Sequence, residues 1–150
     1  MNKNLKLTLS DLFNNYCFLL TEKGKIYPTY FLIKNKDIIM MDSRTGVDFN
    51  IYANFVANQA QKQNVDAIVL LAENNAIVGK QEDKDIQAII DGRLKPGDHP
   101  DSEKYLILVY MSSTGEKEAL FGKIEKDPRG IKFIRHYEWA TDISTQTKII

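Results

Sequence analysis

Thr8 to Lys23 places Leu9, Leu12, Phe13, Tyr16, Cys17, Leu19 and Leu20 at helical spacing, and that stripe predicts an amphipathic helix. Thr8 and Asp11 form a weak capping box, and Gly24 is a natural stop. In "YPTYFLIKNKDIIMMD" the helical spacing gives way to two strands around a tight turn at Asn35-Lys36. Pro28 suits an edge or the start of a strand. After the loop "SRTGVD", Asp48 caps a second helix running to about Asn64. Its inner stripe is Phe49, Tyr52, Ala53, Val56 and Ala60.

Two later runs are apolar at every position, Ala67–Ala72 and Tyr105–Met111. Such strands need cover on both faces. Either the two helices divide between the faces, or a partner covers one. Residues 79–101 are polar and punctuated by Gly and Pro, with room for one short helix in "KDIQAIIDG". "SSTGEK" and "DPRG" are turns that join "EALFGKIEK" and "IKFIRHYEWA" into a meander. Residues 141–150 are read as a loosely tied tail. The expectation is one domain over 1–150. Its fold is α+β, a single mostly antiparallel sheet with two main helices in the order α-β-β-α-β-β-β-β. Profilin-like and roadblock-like domains are similar in element order alone, which carries no function.

Composition narrows the function classes. The 150 residues hold twenty basic and twenty acidic side chains, so no net field draws nucleic acid or an anionic membrane. A nucleic-acid role would need a local basic stripe such as Lys123, Lys126, Arg129, Lys132 and Arg135. Cys17 is the one cysteine, which rules out an intramolecular disulfide and a multi-thiolate zinc site. No apolar run reaches the ~18–20 residues of a membrane span. The expected compartment is the cytoplasm, with no cofactor and no metal. The partner expected is another protein or a second copy.

Familiar catalytic signatures are missing: no GxxxxGK[ST], GxGxxG or GxSxG. The triplet "HYE" at His136–Glu138 lacks the Pro-Cys-x-x-Cys half of a zinc deaminase signature. "EDK" at Glu82–Lys84 matches a nuclease triplet, but it sits in a polar loop. One constellation remains. Glu73 ends the first apolar strand, and His99 and Asp101 precede the second. If those strands are antiparallel neighbours, Glu73, His99 and Asp101 can converge as a carboxylate–histidine catalytic site of hydrolytic type, open to metal assistance. The competing reading makes "KPGDHPD" a stiff approach to the strand, with Pro96-Gly97 in a type II turn and Pro100 extending His99. A second candidate is an interaction patch. Alternation along "IRHYEWA" puts Phe133, Arg135, Tyr137 and Trp139 on one face and Ile134, His136 and Glu138 on the other. Arg135, Tyr137 and Trp139 have the composition of a binding surface.

"DAIVLLAENNAIV" followed by "GDHPDSEKYLILVYMSSTGEKE" resembles a group of uncharacterised bacterial and phage proteins. Those typically carry Ala-Glu-Ala-Trp at the end of a strand and a Ser-Glu-His-Pro-Asp-Arg-like stretch before the next. Ala72 and Glu73 match the first motif; His99, Pro100 and Asp101 match the second. Asn75 stands in the place of the tryptophan and Ser102 in that of the arginine, so any site built on those two is altered here. The resemblance spans about residues 48–125. It implies a shared fold and a suspect region. The group has no assigned activity, so the resemblance implies no function.

Overall fold

The computed structural model describes residues 1–43, 48–76 and 103–140. Helix α1 spans Lys3–Lys23, five residues longer at its start than the apolar stripe predicts. Asn2 is the cap, its side chain accepting from the Leu5 amide at 2.8 Å. Thr8 is interior and donates its hydroxyl to the Asn4 carbonyl. The stripe simply continues upstream through Leu5, which is buried. Gly24 ends the helix in the left-handed conformation, φ 76°, as its lack of a Cβ allows.

Strands β1 (Thr29–Lys34) and β2 (Asp37–Ser43) form a hairpin. Asn35 and Lys36 both have positive φ, 52° and 69°, the shape of a type I′ turn built without glycine. Helix α2 (Phe49–Gln63) starts at Asp48, whose carboxylate accepts from the Ile51 amide. β3 (Ala67–Ala76), β4 (Glu103–Ser112) and β5 (Lys117–Lys126) follow. The last predicted strand is two short ones, β6 (Lys132–Ile134) and β7 (Glu138–Ala140), both paired to β5. The order across the sheet is β2-β1-β3-β4-β5-β6, and every pairing is antiparallel.

The helices divide between the two faces of the sheet. On one face Leu5, Leu9, Phe13 and Leu20 of α1 meet Phe31, Ile33, Val69, Leu71, Leu106, Leu108 and Leu120. On the other, Tyr52 and Val56 of α2 meet Tyr30, Leu32, Ile68, Leu70, Val109 and Met111. That double cover is why β1 and β3 bury consecutive residues, Thr29–Ile33 and Ala67–Leu71. Each fully buried Leu or Phe contributes roughly 1.5–3 kcal/mol of transfer free energy. Among the described residues no helix is long and apolar enough to cross a membrane.

One buried polar atom stands out in the α2-side core. The Tyr30 ring packs edge-on against Tyr52, centroids 4.8 Å apart, and among the described residues its hydroxyl has no hydrogen-bond partner. Burial, reinforced by Tyr52, pushes the Tyr30 phenol up from 10.0, and burial pushes the Cys17 thiol from 9.0 to about 11. Both native groups hold their protons where the unfolded chain releases them. Stability is therefore undiminished below the unfolded values and declines as pH climbs from about 9 toward the native ones. Tyr30→Phe removes an unsatisfied hydroxyl and should stabilise the fold by about 1 kcal/mol. Thermal melts between pH 8 and 11 should show the variant more stable than wild type at every pH, with a shallower alkaline decline. A less stable variant would mean that the hydroxyl has a partner after all.

Candidate functional site

The site begins with a glycine in the interior of a strand. Gly122 lies opposite Leu106 on β4, and beyond it β5 meets the broken edge strand. Phe121 pairs with Glu138 and Ile124 with Ile134. Between those pairs β5 has two residues, Gly122 and Lys123, while the edge strand has three, Arg135, His136 and Tyr137. The extra residue is a β-bulge. It packs down on Gly122: a Cβ built there would lie 2.5 Å from Ile134 Cγ2, 3.1 Å from the His136 carbonyl oxygen and 3.2 Å from Tyr137 Cβ. Only a residue without a side chain allows that approach.

The bulge overturns the simple alternation expected for this stretch. Ile134 and Trp139 pack against the α1-side core, and the Tyr137 ring lies 4.9 Å from Phe13 of α1. The Trp139 indole donates to Ser10 Oγ at 3.1 Å, and Lys6 Nζ sits 5.1 Å from its ring. Tyr137 and Trp139 thus seat α1. Arg135 is on the other face, 5.9 Å from the Phe133 ring and bonded through Nε to Glu125 at 3.3 Å. One inserted residue has separated Arg135 from the two aromatics and put it with His136 and Glu138 instead.

Those three residues border a cleft of about 410 Å³ lined also by Tyr105, Phe121, Lys123 and Glu125. Tyr105 and Phe121 lie in the sheet face that α2 packs on, because Ile107 pairs with Phe121 and Tyr105 with Lys123 in line with Val109–Ala119. Among the described residues neither belongs to the α2-side core. Their rings meet edge-on at 5.9 Å and form the floor. Lys123 Nζ pairs with Glu103 at 3.1 Å, which keeps the amine charged above its ordinary range. Burial, then the Glu103 charge, raises the Tyr105 phenol, so it enters as a neutral hydroxyl. The cleft is open to solvent, and its lining is an aromatic floor with both signs of charge around it. Apart from Arg135, the sequence reading missed this cleft as a site. Its available signal was Gly122 inside "ALFGKIEK", since glycine in a strand interior marks a bulge or close approach.

Glu73 is placed on the α1 face, opposite Leu106. β3 and β4 are antiparallel neighbours, as the carboxylate–histidine constellation requires. His99 and Asp101 lie outside the described residues, as do "KDIQAIIDG", "EDK" and 141–150. Glu73 Oε2 accepts from the Ile26 amide at 3.1 Å, and Oε1 is 3.4 Å from Lys132 Nζ. The carboxylate is nearly buried and ties the α1–β1 link and β6 to the end of β3. Among the described residues no group of three His, Cys, Asp or Glu is placed to hold a metal. Four of the five cations in the basic stripe sit beside a carboxylate: Lys123 by Glu103, Arg129 by Asp127, Lys132 by Glu73 and Arg135 by Glu125. No family model, curated protein or solved structure matches the chain.

Proposed function

We propose that this chain is a protein-binding module and that the cleft beside the β5 bulge holds a segment of its partner. The observation that carries the reading is the Tyr105–Phe121 floor, left outside the α2-side core and ringed by Lys123, Glu125, Arg135, His136 and Glu138. Aromatic side chains offer a partner large apolar contact at little entropic cost, and the Arg135–Glu125 pair offers orientation. A segment with an apolar anchor between charged residues fits that chemistry. In this reading the partner is met in the cytoplasm, where a lone thiol such as Cys17 stays reduced. The hydrolytic reading gains no comparable support, because the described contacts of Glu73 are structural ones. The basic stripe gains none as a phosphate-binding surface, with four of its cations already paired.

The test is a photo-reactive residue in place of His136, expressed in the source cells. A discrete adduct is expected. It should be lost when Arg135→Glu is added and absent when the same residue replaces Ser113, which is exposed in the β4–β5 turn. No adduct, or one indifferent to Arg135→Glu, would refute the assignment.

A further inference from the structure

The charges around the cleft do not cancel. Lys123 Nζ is bonded to Glu103 at 3.1 Å, and Arg135 Nε to Glu125 at 3.3 Å. Each cation therefore answers one carboxylate. Glu138 is the lining carboxylate left over: it is exposed, and among the described residues its side chain has no ion-pair or hydrogen-bond partner. Register sets it beside the floor. Glu138 is the direct cross-strand partner of Phe121, so the two side chains stand on the same face of the sheet, with Cβ atoms ~5 Å apart. The next pair, Leu120 and Trp139, points the other way and packs on the α1 side.

The rings of the floor are open to a cation as well. Phe121 and Tyr105 are half-buried and meet edge-on, their planes 62° apart, so they do not stack face to face on one another. Among the described residues no Lys or Arg lies over either ring; the cation–π contacts are to Trp139, Tyr27 and Phe133. An aromatic face is negative at its centre and attracts a positive group. A cation on the Phe121 ring is drawn by the ring and by Glu138 at once.

We infer that the partner segment brings an arginine to this cleft, its guanidinium laid on the Phe121 ring and forked onto the Glu138 carboxylate. The inference rests on the proposed function and names the chemistry of its partner. The arginine is one of the charged residues beside the apolar anchor, which takes the Tyr105 side of the floor. Charge complementarity selects a cation, because the unanswered charge at the floor is negative and an acidic residue would meet Glu138 with like charge. Shape selects arginine over lysine. A guanidinium is planar, so it stacks on a single ring face while its edge gives two parallel hydrogen bonds to a carboxylate. An ammonium is a strongly hydrated point charge with no flat face to stack. Arg135 has a different part. Its bond to Glu125 belongs to the wall of the cleft, and Arg135→Glu sets two carboxylates against each other there, which disturbs the wall whatever the charge of the ligand.

The test is an NMR titration of the isotope-labelled full chain with blocked tripeptides, acetyl-Ala-Xaa-Ala-amide, where Xaa is arginine, lysine, citrulline or glutamate. Citrulline has the shape of arginine without its charge. The arginine probe should shift the Gly122, Lys123 and Glu138 amides with a dissociation constant on the order of millimolar, as befits one exposed cation–π contact and one carboxylate. Lysine should bind about 3-fold more weakly, and citrulline and glutamate about 10-fold or more. Glu138→Gln should weaken the arginine probe about 5-fold, and Phe121→Leu, which keeps the floor apolar without a π face, about 3-fold. Glu138 is exposed, so its replacement tests the contact without loading the fold, and amide dispersion checks both variants. No shifts at the cleft up to about 20 mM arginine probe, far above the expected constant, would overturn the inference. So would equal binding of the lysine or citrulline probe, or indifference to Glu138→Gln. None of those outcomes touches the photo-adduct at His136, which remains the separate test of the protein-binding reading.

Discussion

Gly122→Ala should destabilise the fold by about 2–3 kcal/mol, the range of forced overpacking, and lower the melting temperature by roughly 5–10 °C in a chain of this size. The new methyl would overlap Ile134 Cγ2 and press on the His136 carbonyl and Tyr137 Cβ. Ile134 is β-branched and stiff at χ1, so its methyl cannot swing clear at small cost. The other two neighbours are backbone or one bond from it. Relief needs the edge strand to lift, which weakens the Phe13–Tyr137 ring contact and the Trp139–Ser10 bond that seat α1. Ile134→Ala removes the closest methyl. Added to Gly122→Ala it should cost less than the sum of the single changes, a coupling of about 1 kcal/mol in a double-mutant cycle. The cleft should suffer too, because the bulge sets where Arg135 and His136 point. Urea unfolding of the four chains measures all of this. A Gly122→Ala chain within about 0.5 kcal/mol of wild type, the size of an ordinary surface change, would show that the bulge does not close on residue 122.

Most of the fold was legible because hydrophobic period carries it. The stripes of α1 and α2 and the two apolar runs each demanded a particular cover, and two helices on opposite faces supply it. The type I′ hairpin at Asn35-Lys36 was readable as a turn, though not as to type, since neither residue is glycine. The start of α1 was misplaced. Thr8 with Asp11 mimics a cap, while Asn2 makes the actual bond to Leu5. Local cap signals compete, and the winner is decided by Leu5 joining the core at one end of the sheet.

The site was less legible. Strict alternation assigned Arg135, Tyr137 and Trp139 to one face because period-2 counting has no way to see an inserted residue. The insertion is visible only when β6 and β7 are both aligned on β5. Tyr105 and Phe121 looked like core, one inside an apolar run and the other beside Leu120. What sets them apart is that the core packed under α2 includes Ile107, Val109 and Ala119 but not these two rings. No residue pattern within β4 or β5 encodes where that core ends.

Glu73→Ala should cost about 2 kcal/mol, the price of leaving buried hydrogen-bonding groups without partners. Two groups lose theirs: the Ile26 amide, whose residue is buried, and the Lys132 ammonium, which is left near the core with no carboxylate. Glu73→Gln keeps an acceptor for the amide and gives up the charge, so it should fall between, near 1 kcal/mol. Native-state hydrogen exchange separates the two effects. The Ile26 amide should exchange faster in the alanine variant and stay near wild-type protection with glutamine. A carboxylate kept for chemistry behaves in the opposite way, because functional groups are commonly held at a cost to stability and their removal tends to relieve it. Glu73→Ala at or above wild-type stability, with Ile26 still protected, would therefore end the structural account. It would return Glu73 to consideration as a catalytic group beside His99 and Asp101.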